Sequence, residues 1–276
     1  MENLARDRVY GADFSGAKDA GKRIWIAAGT ISAETLEIET CRPAKDLPGS
    51  SKEREQALRA LRELIANEHR SAIGLDFPFG LPRELVGHED WESFVRAFPD
   101  DHPGPEAFRE ACRKAAEGRE LRRHTDEAAR TPFSPYNIRL YRQTYYGIRD
   151  LLHPLVWNDQ VCVLPMQEPV RDKPWLLEIC PASTLKHKGL YMPYKGKAEM
   201  SQFARESILR MLERKRIVIQ EQTLRATIVD DAGGDALDSV IAALATFEAL
   251  CAPPSPDPRE NDIYAVEGYV YFGHAG

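Results

Sequence analysis

Long apolar runs, closely spaced cysteine pairs and an excess of positive charge are all missing from this chain of 276 residues. No stretch approaches the roughly 20 apolar residues of a membrane span, and the charged start MENLARDRVY does not resemble a secretory signal. The five cysteines are scattered without a C-x-x-C pair, which argues against a zinc or redox motif and fits a reducing compartment. We therefore expect a cytoplasmic protein with no membrane partner.

The net charge of −6 excludes one further class. Proteins that are held to nucleic acid by their overall field are basic, so any contact of this chain with nucleic acid has to be a local patch. The composition is otherwise ordinary for a globular protein, with 43% hydrophobic and 29% charged residues. We predict a single domain over residues 1–276, whose function has to be inferred from local features.

The first third of the sequence predicts the order β-β-β-α-β. Strand-like runs divided by short turns favour an antiparallel meander over residues 8–15, 23–31 and 34–41. Residues 51–69 repeat leucine at helical spacing with charges between, which indicates an amphipathic helix. The apolar run 72–77 is too short for a helix and stops at Pro78, so it predicts a buried strand parallel to the first.

The rest of the sequence is more helical. Residues 81–165 predict a mostly helical insertion, and a strand returns at 175–180. Helices follow at 198–215 and after Gly234, the last with one buried stripe made of Leu237, Val240, Leu244, Phe247 and Cys251. Residues 252–276 predict a linker and a possible hairpin. The sequence thus predicts an α/β fold with a mixed five-stranded sheet flanked by helices.

Acidic residues recur at the ends of these apolar elements. Asp13 and Asp76 each lie within two residues of a strand end, where open α/β sheets expose residues to ligands, and Glu178 repeats the placement. Asp235 and Asp238 begin the last helix, whose positive dipole end favours carboxylates. A lone acid at such a position is usually a turn or cap residue, and the alternative for Glu178 is a buried pair with an arginine. Five acids so placed favour one shared site, because a buried charge is costly unless it is paired or metal-bound.

The chemistry of these side chains indicates a metal. Oxygen ligands without histidine or cysteine suit Mg²⁺ or Mn²⁺, and clustered carboxylates repel one another without a cation. Such a site can hold two metals, of which one activates a water and the other stabilises the departing oxygen. We therefore predict phosphodiester hydrolysis. The predicted catalytic residues are Asp13, Asp76, Glu178, Asp235 and Asp238, and all of them except Glu178 are predicted metal ligands.

Short motifs carry a resemblance to a known family: GADFSG, GLDFPFGLP, LEICPAST and GGDALDSVIAALAT. Between residues 8 and 250 the chain resembles family 429 of the domains of unknown function, which belongs to the ribonuclease H-like superfamily and is similar to Holliday-junction resolvases. The resemblance implies a ribonuclease H-like fold of order β-β-β-α-β-α-β-α, here with the insertion at 81–165. It also implies metal ligands on the first strand, the fourth strand and the last helix, which correspond to Asp13, Asp76, Asp235 and Asp238.

Arginine and tyrosine are frequent within the predicted insertion. The arginines are Arg119, Arg122, Arg123, Arg130, Arg139, Arg142 and Arg149, and the interleaved tyrosines are Tyr141, Tyr145 and Tyr146. This mixture can bind phosphates and stack bases. A core role for two of the tyrosines is the alternative, because one helical stripe contains Ile138, Tyr141, Tyr145, Ile148 and Leu152. As substrate-binding residues we predict Ser15, Arg139, Arg142 and Lys186.

These observations predict a nuclease that cleaves DNA or RNA with Mg²⁺ or Mn²⁺, and the resolvase-like relatives make a homodimer possible. An actin-like ATPase or phosphotransferase shares the fold, but it requires a second, duplicated domain with its own phosphate loop. A protein that retains the fold and binds a partner without catalysis is the third alternative.

Overall fold

A computed structural model describes residues 6–273 of the chain. The fold is mixed α/β, with helices around one mixed sheet of eight strands. The strands are β1 (Arg8–Asp13), β2 (Trp25–Ser32), β3 (Thr35–Pro43), β4 (Ser71–Leu75), β5 (Cys162–Leu164), β6 (Trp175–Ile179), β7 (Ile217–Val218) and β8 (Val270–Tyr271). The parts of the predicted segments that fall in 1–5 and 274–276 lie outside the described residues.

Helices connect and cover these strands. Before β5 they are α1 (Ala20–Arg23), α2 (Arg54–Asn67), α3 (Arg83–Val86), α4 (Trp91–Asp101), α5 (Pro105–Ala115), α6 (His124–Ala129), α7 (Tyr141–Gly147) and α8 (His153–Trp157). After β6 they are α9 (Pro181–His187), α10 (Glu199–Glu213), α11 (Gln222–Asp230), α12 (Asp235–Cys251) and α13 (Tyr264–Glu267). Tighter or wider helical turns cover Ala44–Asp46, Ile148–Leu152 and Pro258–Glu260.

The sheet is built around β1. This strand pairs antiparallel with β2, which pairs antiparallel with β3, so the predicted meander is confirmed. On its other side β1 pairs in parallel with β4, as predicted, and β4 pairs in parallel with β6. The strand order is β5-β6-β4-β1-β2-β3-β7, and β8 lies beside β6. The C-terminal ends of β1, β4 and β6 therefore meet at the same end of the sheet.

Three short strands make the sheet larger than the five strands that the sequence predicts. β5, β7 and β8 contain two or three residues each, too few to show the alternation that reveals a strand. Where the sequence predicts a C-terminal hairpin, the structure has α13 followed by β8, which pairs with Glu178 and Ile179 of β6. Because β5 covers only Trp175–Leu177 of that strand, β8 satisfies backbone groups that β5 leaves unpaired.

Alternate residues of β1 face opposite layers of the molecule. Tyr10 and Ala12 pack in one core with residues of α2 and α4, whereas Val9 packs in another with residues of α10, α11 and α12. Helix α2 matches the predicted amphipathic helix, and its buried face belongs to the first of these cores. Asp13 is four residues after Val9 on the same strand, so its side chain points to the same face of the sheet, which α12 covers.

Helix α12 lies directly on the sheet. Two glycines permit this, because a Cβ on Gly11 would collide with the backbone of α12 and one on Gly74 would collide with Thr246. Residues 236–247 are all buried, so α12 is covered on every side rather than along the one predicted stripe, and Cys251 at its end is exposed. Even so, no helix within residues 6–273 is long and apolar enough to cross a membrane. The close packing holds the start of α12 above the ends of β1 and β4.

The segment 81–165, predicted as a helical insertion, contains α3 to α8 and β5. Its aromatic rings pack together, with the ring centre of Phe98 at 5.5 Å from that of Phe94 and 5.4 Å from that of Phe108. These rings belong to the same core as Tyr10 of β1. The segment therefore shares its core with the sheet.

Candidate active site at the ends of β1 and β4

Two aspartates lie side by side where β1 and β4 end. Asp13 is the last residue of β1, and Asp76 follows β4, with its backbone N–H donating to the carbonyl of Ala12 at 3.0 Å. The two strands pair in register up to Ala12 and Leu75, so the aspartates are the next neighbours. Both are on the side of α12, because the preceding residues Ala12 and Leu75 pack in the opposite core.

The start of α12 adds two further acids. Gly234 precedes the helix in the left-handed conformation, with φ of 78°, and Asp235 is the first helical residue. Asp238 lies in the first turn, where its N–H donates to the carbonyl of Gly234 at 2.9 Å. The positive end of the helix dipole favours carboxylates at both positions. Asp238 is buried, at 2% exposure, whereas the side chain of Asp235 is 25% exposed.

These acids are close enough to raise one another's pKa. Burial raises the pKa of Asp13 well above its ordinary value, and the charges of Asp238 and Asp76 raise it further. The pKa of Asp76 is likewise raised, by burial first and then by Asp238. Burial is also the main cause that raises the pKa of Asp235 to about 6. Perturbed carboxyl groups gathered at one place are typical of functional sites.

The loop between α9 and α10 brings a lysine and a tyrosine to the acids. Lys195 Nζ lies 2.7 Å from Asp238 Oδ2 and 3.7 Å from Asp235 Oδ1, and the side chain of the lysine is 53% exposed. Tyr194 OH donates to Asp238 Oδ1 at 2.6 Å. Burial acts to lower the pKa of Lys195, but the charges of Asp238 and Asp13 outweigh it and the net shift is upward. A positive charge thus already lies at the acids.

Sequence reasoning missed both Tyr194 and Lys195. The available signal is the run GLYMPYKGK, which is rich in aromatic and basic residues but follows neither a strand period nor a helix period. Lys186, the predicted substrate-binding residue nearest in sequence, belongs to α9 instead. The contact of this loop with α12 is therefore a tertiary fact.

Glu178 faces the opposite side of the sheet from Asp76. Glu178 is two residues after Leu176 on β6, so both side chains point to the same face of the sheet, and Leu176 packs in the core of the predicted insertion. Its carboxylate accepts bonds from Arg123 Nη1 at 2.8 Å and Nη2 at 2.5 Å, and from the N–H of Phe79 at 2.9 Å. Arg123 also pairs with Asp126, with Nη2 at 2.8 Å from Oδ1, and all three charged side chains are buried. The structure therefore places Glu178 in the arginine pair that was the alternative to a catalytic role.

A cavity of about 470 Å³ opens beside the acids. Asp76, Asp238 and Lys195 line one part of it, and the ion pair of Glu178 lines another. Further lining comes from the segment before α7, with Phe133, Arg139 and Leu140, and from the loop after α9, with Tyr191 and Met192. The volume is within the range of ligand-binding pockets.

The structure separates the four predicted substrate-binding residues. Arg139 lines the cavity. Lys186 is close to it, since its Nζ lies 5.6 Å from the ring centre of Tyr191, a lining residue. Arg142 instead pairs with a glutamate of α5 at 2.7 Å, and Ser15 Oγ accepts a backbone N–H in the turn after β1 at 3.3 Å.

The predicted arginine and tyrosine face is divided between core and surface. Tyr141 and Tyr145 are buried, as the core alternative predicts. Ile138, which that alternative places on the same stripe, is 60% exposed because it precedes the first residue of α7. Arg123 is buried in its ion pair, so it is not part of an exposed phosphate-binding face. Of these arginines, Arg139 is the exposed one that lines the cavity.

The predicted metal ligands fit a hard divalent cation by the chemistry of their donors, because Mg²⁺ and Mn²⁺ prefer carboxylate oxygens. Within residues 6–273, however, no three His, Cys, Asp or Glu side chains are already arranged to hold a metal ion. Both oxygens of Asp238 already have partners, since Oδ1 accepts a hydrogen bond from Tyr194 and Oδ2 forms an ion pair with Lys195. No family model, curated protein or solved structure matches this chain, so the assignment of a function rests on this site.

Proposed function

We propose that this protein is a divalent-metal-dependent nuclease, which hydrolyses phosphodiester bonds of DNA or RNA on a ribonuclease H-like sheet. The observation that carries the proposal is the convergence of Asp13, Asp76 and Asp238 from the ends of β1 and β4 and the first turn of α12, with Asp76 and Asp238 lining a cavity. Acids in such contact need nearby positive charge to be ionised together. The five longest strands support the fold, since β1, β2, β3, β4 and β6 follow the order that the family resemblance implies.

Asp13 and Asp76 would hold the metal, with Asp238 or Asp235 completing its ligands. A bound Mg²⁺ or Mn²⁺ supplies activation of a water and stabilisation of the departing oxygen. Tyr194 fixes the direction of the Asp238 carboxylate through its hydroxyl group. Lys195 neutralises part of the charge of the acids, and its exposed side chain can turn toward a phosphate in the cavity.

We assign Glu178 a positioning role in this proposal. Its carboxylate is occupied by the guanidinium of Arg123 and by a backbone N–H, so it is not free to take a proton from water. The pair joins α6 to β6 and supports the wall of the cavity. Loss of Arg123 would leave two buried carboxylates, Glu178 and Asp126, without their shared cation in that wall.

The test is hydrolysis of labelled DNA and RNA oligonucleotides, single- and double-stranded, with Mg²⁺, with Mn²⁺ and with a chelator. We expect cleavage only with metal. We expect Asp13→Asn to reduce the cleavage rate by at least about 100-fold, because removing a metal ligand should cost more than removing a residue that only hydrogen-bonds to a ligand. Asp262→Asn is the matched control, because Asp262 is an exposed aspartate in the C-terminal region.

Two results would contradict the proposal. Equal cleavage by the wild type and Asp13→Asn would exclude the acids as the site, and cleavage in the presence of the chelator would exclude the metal. A calorimetric titration without Mn²⁺ binding would favour the non-catalytic alternative.

A thermal-shift assay distinguishes the actin-like ATPase from the nuclease. All strands within the described residues belong to one sheet, an arrangement that does not favour a duplicated architecture. Stabilisation by ATP with Mg²⁺ beyond that by Mg²⁺ alone would favour the ATPase, because only a nucleotide site gains from ATP. Equal shifts would favour the nuclease.

A further inference from the structure

The cavity beside the acids has aromatic rings in its lining. Phe133 comes from the segment between α6 and α7, and Tyr191 comes from the loop after α9. Phe133 is partly buried, and Tyr191 is 54% exposed although it is a large ring. A partly exposed ring in the lining of a cavity offers a surface on which another flat ring can stack.

A cation accompanies each of these rings. The guanidinium carbon of Arg139 lies 5.4 Å from the ring centre of Phe133. The Nζ of Lys186 lies 5.6 Å from the ring centre of Tyr191 and donates to the carbonyl of Arg130 at 3.0 Å. Proteins that bind single-stranded nucleic acid combine these two features, aromatic platforms for the bases and positive groups along the backbone.

The size of the cavity restricts what can enter. A volume of about 470 Å³ suits one small ligand. A base within a duplex is paired and stacked, so it would have to leave the helix to enter a pocket of this kind. An unpaired base is free to enter without that cost.

We propose that the cavity binds a single unpaired nucleotide, its base against Tyr191 or Phe133 and its phosphate toward Lys195 and the acids. The substrate of the site is then single-stranded nucleic acid, either a free strand or an unpaired segment. The inference rests on the proposed nuclease function, because the acids are what places the scissile phosphate at Asp76 and Asp238.

The experiment measures binding by the full chain without metal, so that it is independent of hydrolysis. The probes are fluorescein-labelled oligo-dT, oligo-U and a duplex of the same length, followed by anisotropy in the presence of a chelator. We expect the single strands to bind at least about tenfold more tightly than the duplex. The two single strands distinguish DNA from RNA as the source of the nucleotide.

Variants of the aromatic residues make the test specific. Tyr191→Ala should weaken single-strand binding by about tenfold, the effect expected for loss of one stacked base, and Phe133→Ala should weaken it as well. Tyr191→Phe retains the ring and should bind like the wild type. Phe203→Ala is the control, since Phe203 is a ring on α10 that is 61% exposed and does not line the cavity. Because Tyr191 is exposed, its replacement should not disturb folding, which thermal unfolding would verify.

The outcomes separate this inference from the proposed function. Duplex binding as tight as single-strand binding, no binding of any probe, or wild-type affinity in both alanine variants would overturn the single-nucleotide cavity. Single-strand binding that depends on Tyr191, together with no metal-dependent hydrolysis, would support the cavity and refute the nuclease. Metal-dependent hydrolysis of duplexes that is insensitive to Tyr191→Ala would support the nuclease and refute the single-nucleotide cavity.

Discussion

Asp13, Asp76 and Asp238 carry ionisable groups at positions where charge is unfavourable. Burial and mutual repulsion both disfavour their charged forms, and Lys195 offsets this effect in part. Residues of this kind reduce the stability of the folded state and are retained where a function needs them. At the residue scale we therefore predict that neutralising one of these acids raises the stability of the folded state and lowers the activity.

Asparagine at position 13 should stabilise the metal-free protein. Because the pKa of Asp13 is raised by folding, the folded state keeps this proton to higher pH than the unfolded chain does. The contribution of Asp13 to the free energy of unfolding thus falls as pH rises above about 4, the usual aspartate value. We expect Asp13→Asn to raise the Tm by about 2–4 °C at pH above neutrality, for a gain of about 1 kcal/mol.

The measurement is thermal unfolding of the wild type, Asp13→Asn and Asp262→Asn across the pH range, in the presence of a chelator. The gain in Tm should shrink toward acidic pH, where the carboxyl group is protonated in both states. A wild type that is more stable than Asp13→Asn at alkaline pH would show that the carboxylate is stabilised by folding, contrary to this reasoning.

At the scale of elements, strand alternation decides which acids meet. Asp13 and Asp76 follow Ala12 and Leu75 and so face α12. Glu178 pairs in register with Leu75 itself and faces the other layer, where its carboxylate accepts a hydrogen bond from Arg123. Side chains in register on neighbouring strands share a face, so a shift of one residue separates Glu178 from the aspartates.

The packing of α12 against β1 yields an element-scale prediction. In Gly11→Ala the new Cβ would meet backbone atoms of α12, which cannot rotate away as a side chain can, so the helix has to move off the sheet. We expect a loss of about 1–3 kcal/mol in the free energy of unfolding. Mn²⁺ binding should weaken as well, because Asp235 and Asp238 move with the helix.

Chemical denaturation and calorimetric titration measure these two effects. Gly104→Ala is the control, since a Cβ there would meet nothing within 4 Å. If Gly11→Ala unfolds like the wild type, the close contact between α12 and β1 does not contribute as described.

At the scale of the whole molecule, charge confines the contact with nucleic acid. The net charge is −6, and besides the buried Arg123 the cations described at the proposed nucleotide cavity are Arg139, Lys186 and Lys195. A negative net charge repels a polyanion, so binding should involve few phosphates. The cytoplasmic location and the homodimer stay predictions.

Salt dependence measures the number of phosphates that are contacted. With about three contacts, the logarithm of the association constant for a single strand should fall with the logarithm of salt concentration at a slope of about −2. Lys186→Gln should reduce the magnitude of that slope by about 0.7, whereas Lys215→Gln, at an exposed lysine after α10, should leave it unchanged. A slope as steep as about −5 would indicate a much larger binding surface and contradict the confined contact.

The sequence by itself determined the meander of β1 to β3, the amphipathic α2, the parallel β4 and the apolar α12. These elements are encoded by periodicities within one segment, which can be read without knowing what the segment packs against. The positions of Asp13, Asp76, Asp235 and Asp238 at the ends of apolar elements follow from the same patterns.

Only the tertiary structure decided the partners of these residues. The bonds of Tyr194 and Lys195 to Asp238 join a loop without periodicity to a helix more than 40 residues later. The pair of Arg123 and Glu178 spans 55 residues, and β8 joins the sheet from the last part of the described chain. Contacts of this kind depend on which surfaces the fold brings together, and no local pattern along the chain records them.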